Sequence, residues 1–416
     1  MMGSDSTTKW IDTTIGGVVD IFDYKRIPLS GNERKQRQGP YPYYGASGII
    51  DYIDDFIFDG RHLLIAEDGE NLNSRKLPVA FFAQRKFWVN NHAHIVRAKN
   101  GVADDHFLFA WFAQANISGY ITGAAQPKLS QANLKRIELR LPPLPTQRKI
   151  ASILSAYDDL IENNLRRIKI LEEMAQALYR EWFVKFRFPG HEKVRMVDSP
   201  LGKIPEGWEV SLMKDVVEVI DCLHSKKPEA SEEGVGILIQ LFNVVDGGKL
   251  DFSRKYMISE NDYVKWTSRI EVSEGDCVIT NVGRIAAVAQ MPTGVKAALG
   301  RNMTGVRPIA GKLTPTYLIE YLLSPHMEDE VRRKKDAGAI MDSLNVRGIY
   351  LLSVPIPCGT LMHDFEAIAR PIRRRVELLV EQNYNLRQTR NLLLPKLISG
   401  ELDVSDLDIY IPEEAA

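Results

Sequence analysis

The sequence predicts an α+β protein in which two mixed α/β globules are separated by two long antiparallel coiled-coil helices, with a pseudo-two-fold internal repeat. Three observations lead to this prediction. Features of the first half of the chain recur in the same order in the second half, two long segments follow a heptad pattern, and short β-rich runs fill the remaining segments. The predicted order of parts is therefore globule, helix, globule, helix.

The internal repeat appears when the chain is shifted against itself. Asp23 matches Asp221 at one shift, and further along the chain Leu129 matches Leu344 at a larger shift, so the second copy is longer than the first. The predicted parts are a first globule (1–143), a first long helix (144–187), a linker (188–207), a second globule (208–357), a second long helix (358–400) and a C-terminal tail (401–416).

Both long helices are indicated by apolar residues spaced alternately four and three positions apart. The first pattern runs from Ile150 to Trp182, and the second runs from Phe365 to Leu397. A helix over 145–187 would be roughly 65 Å long, and a rod of that kind cannot bury an apolar stripe alone. Two rods of equal length in one chain can bury each other, which favours an antiparallel pair.

A polar residue interrupts each heptad pattern. Antiparallel pairing about a pseudo-dyad sets Asn164 opposite Asn383, so both interruptions fall in one layer. Two facing asparagines can hydrogen-bond and fix the helix register, whereas a buried asparagine without a partner is costly. We therefore expect their side chains to lie within direct or single-water reach. The alternative is that either side chain points to solvent at a frayed seam.

Catalytic motifs are missing from the sequence. There is no GxxxxGK[ST] phosphate loop, no GxGxxG after a strand, no HExxH, no GxSxG and no methyltransferase motif. The three cysteines, Cys222, Cys277 and Cys358, are too far apart for a disulfide framework or a zinc site. His92 and His94 would share one face of a strand, but a metal would need further ligands. We therefore predict no catalytic residue, no metal and no cofactor in this chain.

The composition is that of an ordinary globular protein. Lys and Arg total 53 against 54 Asp and Glu, a formal net charge of −1. A whole-chain polycation is thereby excluded, whereas local basic patches are not. No apolar run reaches about 18 residues and the N-terminus lacks an apolar stretch, so we expect neither a membrane span nor a secretory signal, and we expect a cytoplasmic location.

Basic, amide and aromatic residues cluster in segments that the sequence predicts as loops. In the first globule these are Arg34, Lys35, Gln36, Arg37, Tyr43, Tyr44, Arg75, Lys76 and Lys128. In the second globule they are Lys226, Lys227, Arg301, Asn302, Lys334, Lys335 and Arg347. Arginine and lysine neutralise phosphates, and arginine, asparagine and glutamine can read base edges, so this set predicts DNA contact. The alternatives are a solvated face for the charges and core or turn packing for the tyrosines.

Several segments together resemble the specificity (S) subunits of type I restriction-modification systems. The segment 141–151, LPPLPTQRKIA, and the long helix that follows it resemble their first conserved region. Residues 199–208 resemble the opening of their second target recognition domain, and 392–402 resemble their usual C-terminus. The resemblance covers nearly the whole chain. One departure lies at 357–360, where the Pro-x-x-x-Gln form that precedes the first helix is degraded, and this departure is expected to weaken the matching contact of the second helix.

This resemblance implies a non-catalytic subunit with two target recognition domains, each reading one half of a bipartite site in double-stranded DNA. It also implies that the helices act as a ruler, that two methyltransferase (modification) subunits bind the chain, and that translocase/nuclease (restriction) subunits can join. S-adenosylmethionine, ATP and Mg²⁺ are then expected only in the partner subunits. The alternative reading is a coiled-coil protein-interaction scaffold without DNA recognition. A free-standing enzyme lacks a supporting motif.

Overall fold

The computed structural model describes residues 9–334 and 344–411, which divide into two compact units. Unit 1 contains the chain up to Leu160 together with the residues from Leu386 onward, and unit 2 contains Ile161–Asn385. Each unit therefore holds one globule and part of each long helix. Two predicted contact residues cannot be placed, because Lys335 and the side chain of Lys334 lie outside the described part of the chain.

Unit 1 begins with the first globule. Its elements are β1 (Ile11–Thr14), α1 (Ile15–Val18), β2 (Val19–Ile21), α2 (Gly31–Gln36), β3 (Gln38–Gly45), β4 (Gly48–Ile53), β5 (His62–Ala66), α3 (Asn71–Ser74), β6 (Ala80–Ala83), β7 (Trp88–Val89), β8 (Ala93–Ala98), α4 (Asp105–Gln114), α5 (Gln131–Arg136), β9 (Glu138–Leu141) and the first part of α6 (Leu144–Tyr179). An antiparallel sheet has the order β2-β8-β5-β6, and a second sheet has the order β4-β3-β7. Strand β1 pairs with β9.

Unit 2 contains the second globule. Its elements after α6 are β10 (Met196–Ser199), β11 (Gly202–Pro205), β12 (Glu209–Leu212), α7 (Met213–Val216), β13 (Val217–Asp221), β14 (Gly236–Ile239), β15 (Val244–Val245), β16 (Lys249–Leu250), β17 (Met257–Ile258), α8 (Glu260–Trp266), β18 (Cys277–Thr280), β19 (Val288–Gln290), β20 (Ala297–Leu299), β21 (Met303–Pro308), α9 (Pro315–Leu322), α10 (Pro325–Lys334), α11 (Val346–Tyr350), β22 (Ser353–Ile356) and α12 (Leu361–Ser399). Helix α12 runs on past Asn385 into unit 1. The described part of the chain has no helix long and apolar enough to cross a membrane.

The strand topology of the first globule recurs in the second, as the internal repeat predicts. The second globule has sheets of order β13-β21-β18-β19 and β17-β14-β20, and β12 pairs with β22. In each three-stranded sheet the central strand is antiparallel to one neighbour and parallel to the other. Strand β5 of the first globule is equivalent to β18 of the second, and β3 is equivalent to β14. More residues separate β5 from β18 than separate β3 from β14. The extra length of the second copy therefore lies between those strands, where the second globule has the added hairpin β15–β16.

The long helices pair antiparallel in each unit. In unit 2 Ile168 packs with Leu379, and near the end of α6 the ring of Trp182 lies 6.1 Å from that of Phe365. In unit 1 Ile150 shares a buried cluster with Leu397, and further along the helices Asp158 pairs with Arg390. In each unit, then, the residue numbers rise along one helix and fall along the other. After Tyr179 the first helix ends in a π-helical turn, Arg180–Val184, slightly before the end that the sequence predicts at residue 187.

The segment 188–207, which the sequence indicates as a linker, is a folded part of unit 2. Strands β10 and β11 form a hairpin whose turn lies between Ser199 and Gly202. Phe188 and Trp208 are buried with their rings stacked 5.7 Å apart, and Ile204 is buried in the same cluster. Burial of these apolar side chains orders the segment despite its content of proline and glycine.

Candidate functional site

Two of the basic residues predicted to contact DNA are already engaged inside the first globule. Arg34 donates from Nε to Asp51 at 3.0 Å, and its guanidinium lies 5.2 Å from the centre of the Tyr43 ring. Arg37 pairs with Asp54 at 2.9 Å and lies over Trp88. These contacts brace helix α2 against its sheet. Contact of either guanidinium with a phosphate would therefore have to compete with a carboxylate.

The structure corrects the expectation that Tyr43 and Tyr44 contact DNA. Tyr43 is fully buried and Tyr44 nearly so, and neither offers a ring face to a ligand. The Tyr43 hydroxyl accepts a hydrogen bond from the backbone N–H of Leu29 at 2.9 Å. Strand β3 is the central strand of its sheet, so its large side chains become core. The alternative role left open by the sequence, core packing, applies to both tyrosines.

Arg75 is likewise a structural residue. Its guanidinium donates to the backbone carbonyls of Phe112 at 3.2 Å and Ala115 at 2.5 Å, at the C-terminal end of α4. A cation at this end of a helix satisfies carbonyls that have no partner within the helix. Burial lowers the pKa of Arg75 from its ordinary value. The predicted phosphate contact is therefore replaced by a helix cap.

Other predicted contact residues remain at the surface. The exposed side chains are Lys35, Gln36, Lys76, Lys128, Lys226, Lys227, Arg301 and Arg347. Lys128 also lies 3.3 Å from Glu67, and Lys227 lies 3.6 Å from the centre of the Tyr256 ring. Asn302 is half-buried with a positive φ of 64°, so it forms part of a turn. The exposed cations are the part of the predicted set that can reach a phosphate without rearrangement.

A buried polar network lies beneath the turn that follows β2. Asp23 Oδ2 lies 2.6 Å from His94 Nδ1, and His94 Nε2 lies 2.7 Å from the carbonyl oxygen of Leu129. Glu67 lies close to the same histidine, at 3.7 Å, and pairs with Arg26 at 2.5 Å. Burial alone would raise the pKa of Asp23, but the hydrogen bond with His94 holds it below its usual value.

This network has the residue types of a metal site, but a positively charged side chain, that of Arg26, already pairs with its carboxylates. The ligand atoms of Asp23, Glu67 and His94 lie within 4.8 Å of one another. The guanidinium of Arg26 occupies the side of Glu67 that a metal would need. The carboxylate charge is therefore balanced by an arginine, which favours a structural role for the network.

A second group of possible ligands lies at the C-terminal end of β13 in the second globule. Asp221, Cys222 and His224 have ligand atoms within 4.8 Å, and His224 Nε2 lies 2.8 Å from Asp221 Oδ2. Arg269 lies 3.9 Å from the same carboxylate. Burial raises the pKa of Cys222, which disfavours the thiolate that a metal requires. The neighbouring guanidinium and the protonated thiol both oppose metal binding here.

A cavity of about 820 Å³ lies beside β13 in unit 2. Its charged lining residues are Glu218, Arg269, Glu271, Glu274, Lys296 and Arg307. Because acidic and basic side chains are mixed around it, the cavity does not form a cationic cradle for a phosphate.

The structure brings Asn164 and Asn383 together in unit 2. Asn164 donates from Nδ2 to Asn383 Oδ1 at 2.9 Å, and Asn383 donates to the carbonyl oxygen of Ile161 at 3.3 Å. Both side chains are buried. The hydrogen bond is the direct contact expected from an antiparallel register about the pseudo-dyad. Each buried amide thus has a partner, which removes most of the cost of its burial.

Comparison with known proteins identifies one family. Residues 8–173 match the family described as "Type I restriction modification DNA specificity domain". The Type I restriction enzyme MjaIX specificity subunit of Methanocaldococcus jannaschii is 26% identical, with 96% of this chain and 98% of that protein aligned. The HindI specificity subunit of Haemophilus influenzae is 27% identical, over 92% and 93% respectively.

The fold matches that of a solved structure. It is the crystal structure of a type I restriction-modification system S subunit from M. genitalium, which aligns with a TM-score of 0.64 at 14% sequence identity. The alignment covers 95% of this chain and 98% of that one. The likeness therefore extends across both globules and both long helices.

Proposed function

Because the chain belongs to the specificity subunits of type I restriction-modification systems, we propose that it recognises DNA sequence and that each globule reads one half of a bipartite target. The single observation that supports recognition of a two-part target is the repeated strand topology of the two globules. Two copies of one fold, with different surface residues, suit two unrelated half-sites. The hydrogen bond between Asn164 and Asn383 would fix the register of the long helices.

The proposed phosphate contacts are the cations that the globules leave exposed. In the first globule these are Lys35, Lys76 and Lys128, and in the second they are Lys226, Lys227, Arg301 and Arg347. Exposed lysine and arginine side chains can neutralise phosphates at little cost in lost internal contacts. Arg34 and Arg37 instead position α2, since each already pairs with an aspartate.

We assign the chemistry of the complex to partner subunits. Two methyltransferase subunits would bind along the long helices, where α6 exposes apolar residues such as Leu165, Ile170 and Met174 in unit 2. Exposed apolar side chains on a polar helix suit a protein partner. A translocase/nuclease subunit would join the same complex. S-adenosylmethionine, ATP and Mg²⁺ would be bound by these partners and not by this chain.

Selection from a random duplex library tests the proposal. The chain is purified with the methyltransferase subunit of its host, and bound duplexes are sequenced after washes at increasing salt concentration. We expect enrichment of two fixed blocks of bases separated by unspecified positions, and binding that falls steeply with salt. The methyltransferase subunit alone is the control. Tight assembly of the two proteins without any enriched sequence would instead favour a protein-interaction scaffold.

A further inference from the structure

Two turns occupy equivalent places in the two globules. The first is the turn Asp23–Lys25 that follows β2, and the second comprises residues 222–227, which follow β13. Both strands lie at the edge of their four-stranded sheets, and the internal repeat matches Asp23 with Asp221. In each copy the matched aspartate pairs with a basic side chain three positions later, Arg26 in the first and His224 in the second.

The first turn is held from beneath by buried groups. Asp23 Oδ1 accepts a hydrogen bond from the backbone N–H of Ile95 at 2.9 Å, in addition to its contact with His94. Arg26 donates to the carbonyl oxygen of Ala93 at 3.0 Å. The backbone of the turn is therefore fixed to strand β8 by side chains on both sides of its exposed residues.

The fixed turn presents an aromatic ring and a lysine to solvent. Tyr24 is 77% exposed, and the Nζ atom of Lys25 lies 5.8 Å from the centre of its ring. A large ring on an ordered turn loses little conformational entropy when it binds a partner. Because Asp23 is neutralised internally, its charge does not oppose the approach of an anion to Lys25.

The second turn repeats this arrangement with different side chains. Asp221 is held by His224 at 2.8 Å, and Arg269 fixes the backbone by donating to the carbonyl oxygen of Cys222 at 2.8 Å. The exposed residues here are His224, Lys226 and Lys227. The carboxylate of Asp221 is thus paired with His224, while Lys226 and Lys227 remain exposed.

We propose that these two turns are the corresponding DNA-contact elements of the two globules, one for each half-site. Lys25 in the first copy, and Lys226 with Lys227 in the second, contact phosphates. Tyr24 and His224 reach the sugar-phosphate backbone or the base edges beside them. The proposal rests on the proposed function, and it adds Tyr24 and Lys25, which the sequence pattern did not single out because the run is short and flanked by an acidic residue.

The test uses the full chain in complex with its methyltransferase subunit and a labelled duplex that carries the selected target. One variant combines Tyr24→Ala with Lys25→Ala, and the other combines Lys226→Ala with Lys227→Ala. The matched control combines Tyr410→Ala with Lys203→Ala, whose side chains are also exposed but lie outside both turns. Thermal unfolding of each complex verifies that the fold is intact.

We expect each turn variant to weaken binding by about tenfold or more, and the salt slope to fall by roughly one for each lysine removed. Duplexes with one half-site scrambled measure discrimination at each half-site. The Tyr24/Lys25 variant should lose discrimination in one half-site only, because Tyr24 reaches base edges, whereas the Lys226/Lys227 variant removes phosphate contacts and should weaken binding to all duplexes alike. Turn variants that bind and discriminate like the control would overturn this inference alone. Wild-type complex without sequence selectivity would overturn the proposed function, and the assignment of the turns with it.

Discussion

The starts of α6 and α12 occupy equivalent positions but are joined to their globules by different chemistry. In the first copy the side chain of Gln147 is fully buried. It accepts a hydrogen bond from the N–H of Asp104 at 2.9 Å and donates to the carbonyl oxygens of Val102 and Pro142 at 3.1 and 2.8 Å. One amide thus links the helix to the start of α4 and to the chain before α6.

In the second copy Met362 stands where the shift that matches Leu129 with Leu344 places Gln147. Its sulfur lies 3.3 Å from the N–H of Thr314, a weaker acceptor contact than an amide makes. One turn later Glu366 accepts hydrogen bonds from the N–H and hydroxyl of Thr316 at 3.1 and 2.9 Å. The degraded motif before α12 predicts a weaker contact at this helix, and a carboxylate on the same helix offsets the loss.

The second globule has a further attachment that the first does not share. Its added hairpin places Lys249 2.6 Å from Glu172 of α6 and offers the carbonyl oxygen of Gly247 to Arg373 of α12 at 2.7 Å. Arg373 also pairs with the buried Glu320. In the first globule β3 leads directly into β4 through a short turn, without an added hairpin. The position in α4 that corresponds to Glu320 in α9 is occupied by the buried Ala110, since each is the sixth residue of its helix. One fold can thus be fastened to a helix either by apolar packing with one amide or by buried charges.

Arg373→Ala should have the largest effect on this comparison. Removing the guanidinium leaves Glu320 buried without its partner, so we expect the free energy of unfolding of unit 2 to fall by about 3–5 kcal/mol. Chemical denaturation followed by fluorescence measures the change. Arg374→Ala removes the neighbouring, 45% exposed arginine and should cost less than about 1 kcal/mol. Equal losses in the two variants would show that the buried pair does not fasten the globule.

Gln147→Met tests the first attachment by giving it the residue of the second. Three backbone groups would lose their partner, and we expect a loss of about 1–3 kcal/mol in the stability of unit 1. The same denaturation experiment applies, with Glu366→Ala as the corresponding change in the second copy. If Gln147→Met left stability unchanged, the amide would not be what joins α6 to the first globule.

The asparagine pair should give a somewhat smaller effect. Asn383→Leu leaves the buried amide of Asn164 without its main acceptor, so we expect a loss of about 1–2 kcal/mol. Changing both residues to leucine should restore or raise stability, because no amide of this pair then remains buried without a partner. If the double variant were less stable than the single variant, the loss of stability in Asn383→Leu could not be due to an unpaired amide on Asn164.

The acid dependence of unit 1 should give the smallest effect. The pKa of Asp23 is lowered in the folded state, so its contribution to stability is present above its unfolded pKa of about 3.9 and is lost as pH falls through the folded value. The stability difference between wild type and Asp23→Asn should therefore hold from neutral pH down to about 3.9 and shrink as the pH falls below that value. Denaturation midpoints across the titration measure it, and a difference that does not change with pH would exclude this role for the carboxylate.

The sequence was most informative where a pattern is long. The heptads predicted both helices, their antiparallel pairing and the meeting of Asn164 with Asn383, since a regular rod converts residue number directly into position. It was less informative within the globules. The burial of Tyr43 and the pairing of Arg34 depend on which strand lies at the centre of a sheet, and that depends on contacts distant in sequence. Composition therefore identified a basic segment but could not tell engaged cations from free ones.

Mapping of methylated positions in the host genome, with and without this chain, tests two-part recognition most directly. We expect methylation within a motif of two specified blocks separated by unspecified bases, and its complete loss when the chain is deleted. Replacing residues 9–143 with those of a relative should change one block and leave the other. Methylation that persists without the chain, or a motif without a gap, would contradict recognition of a bipartite target by this protein.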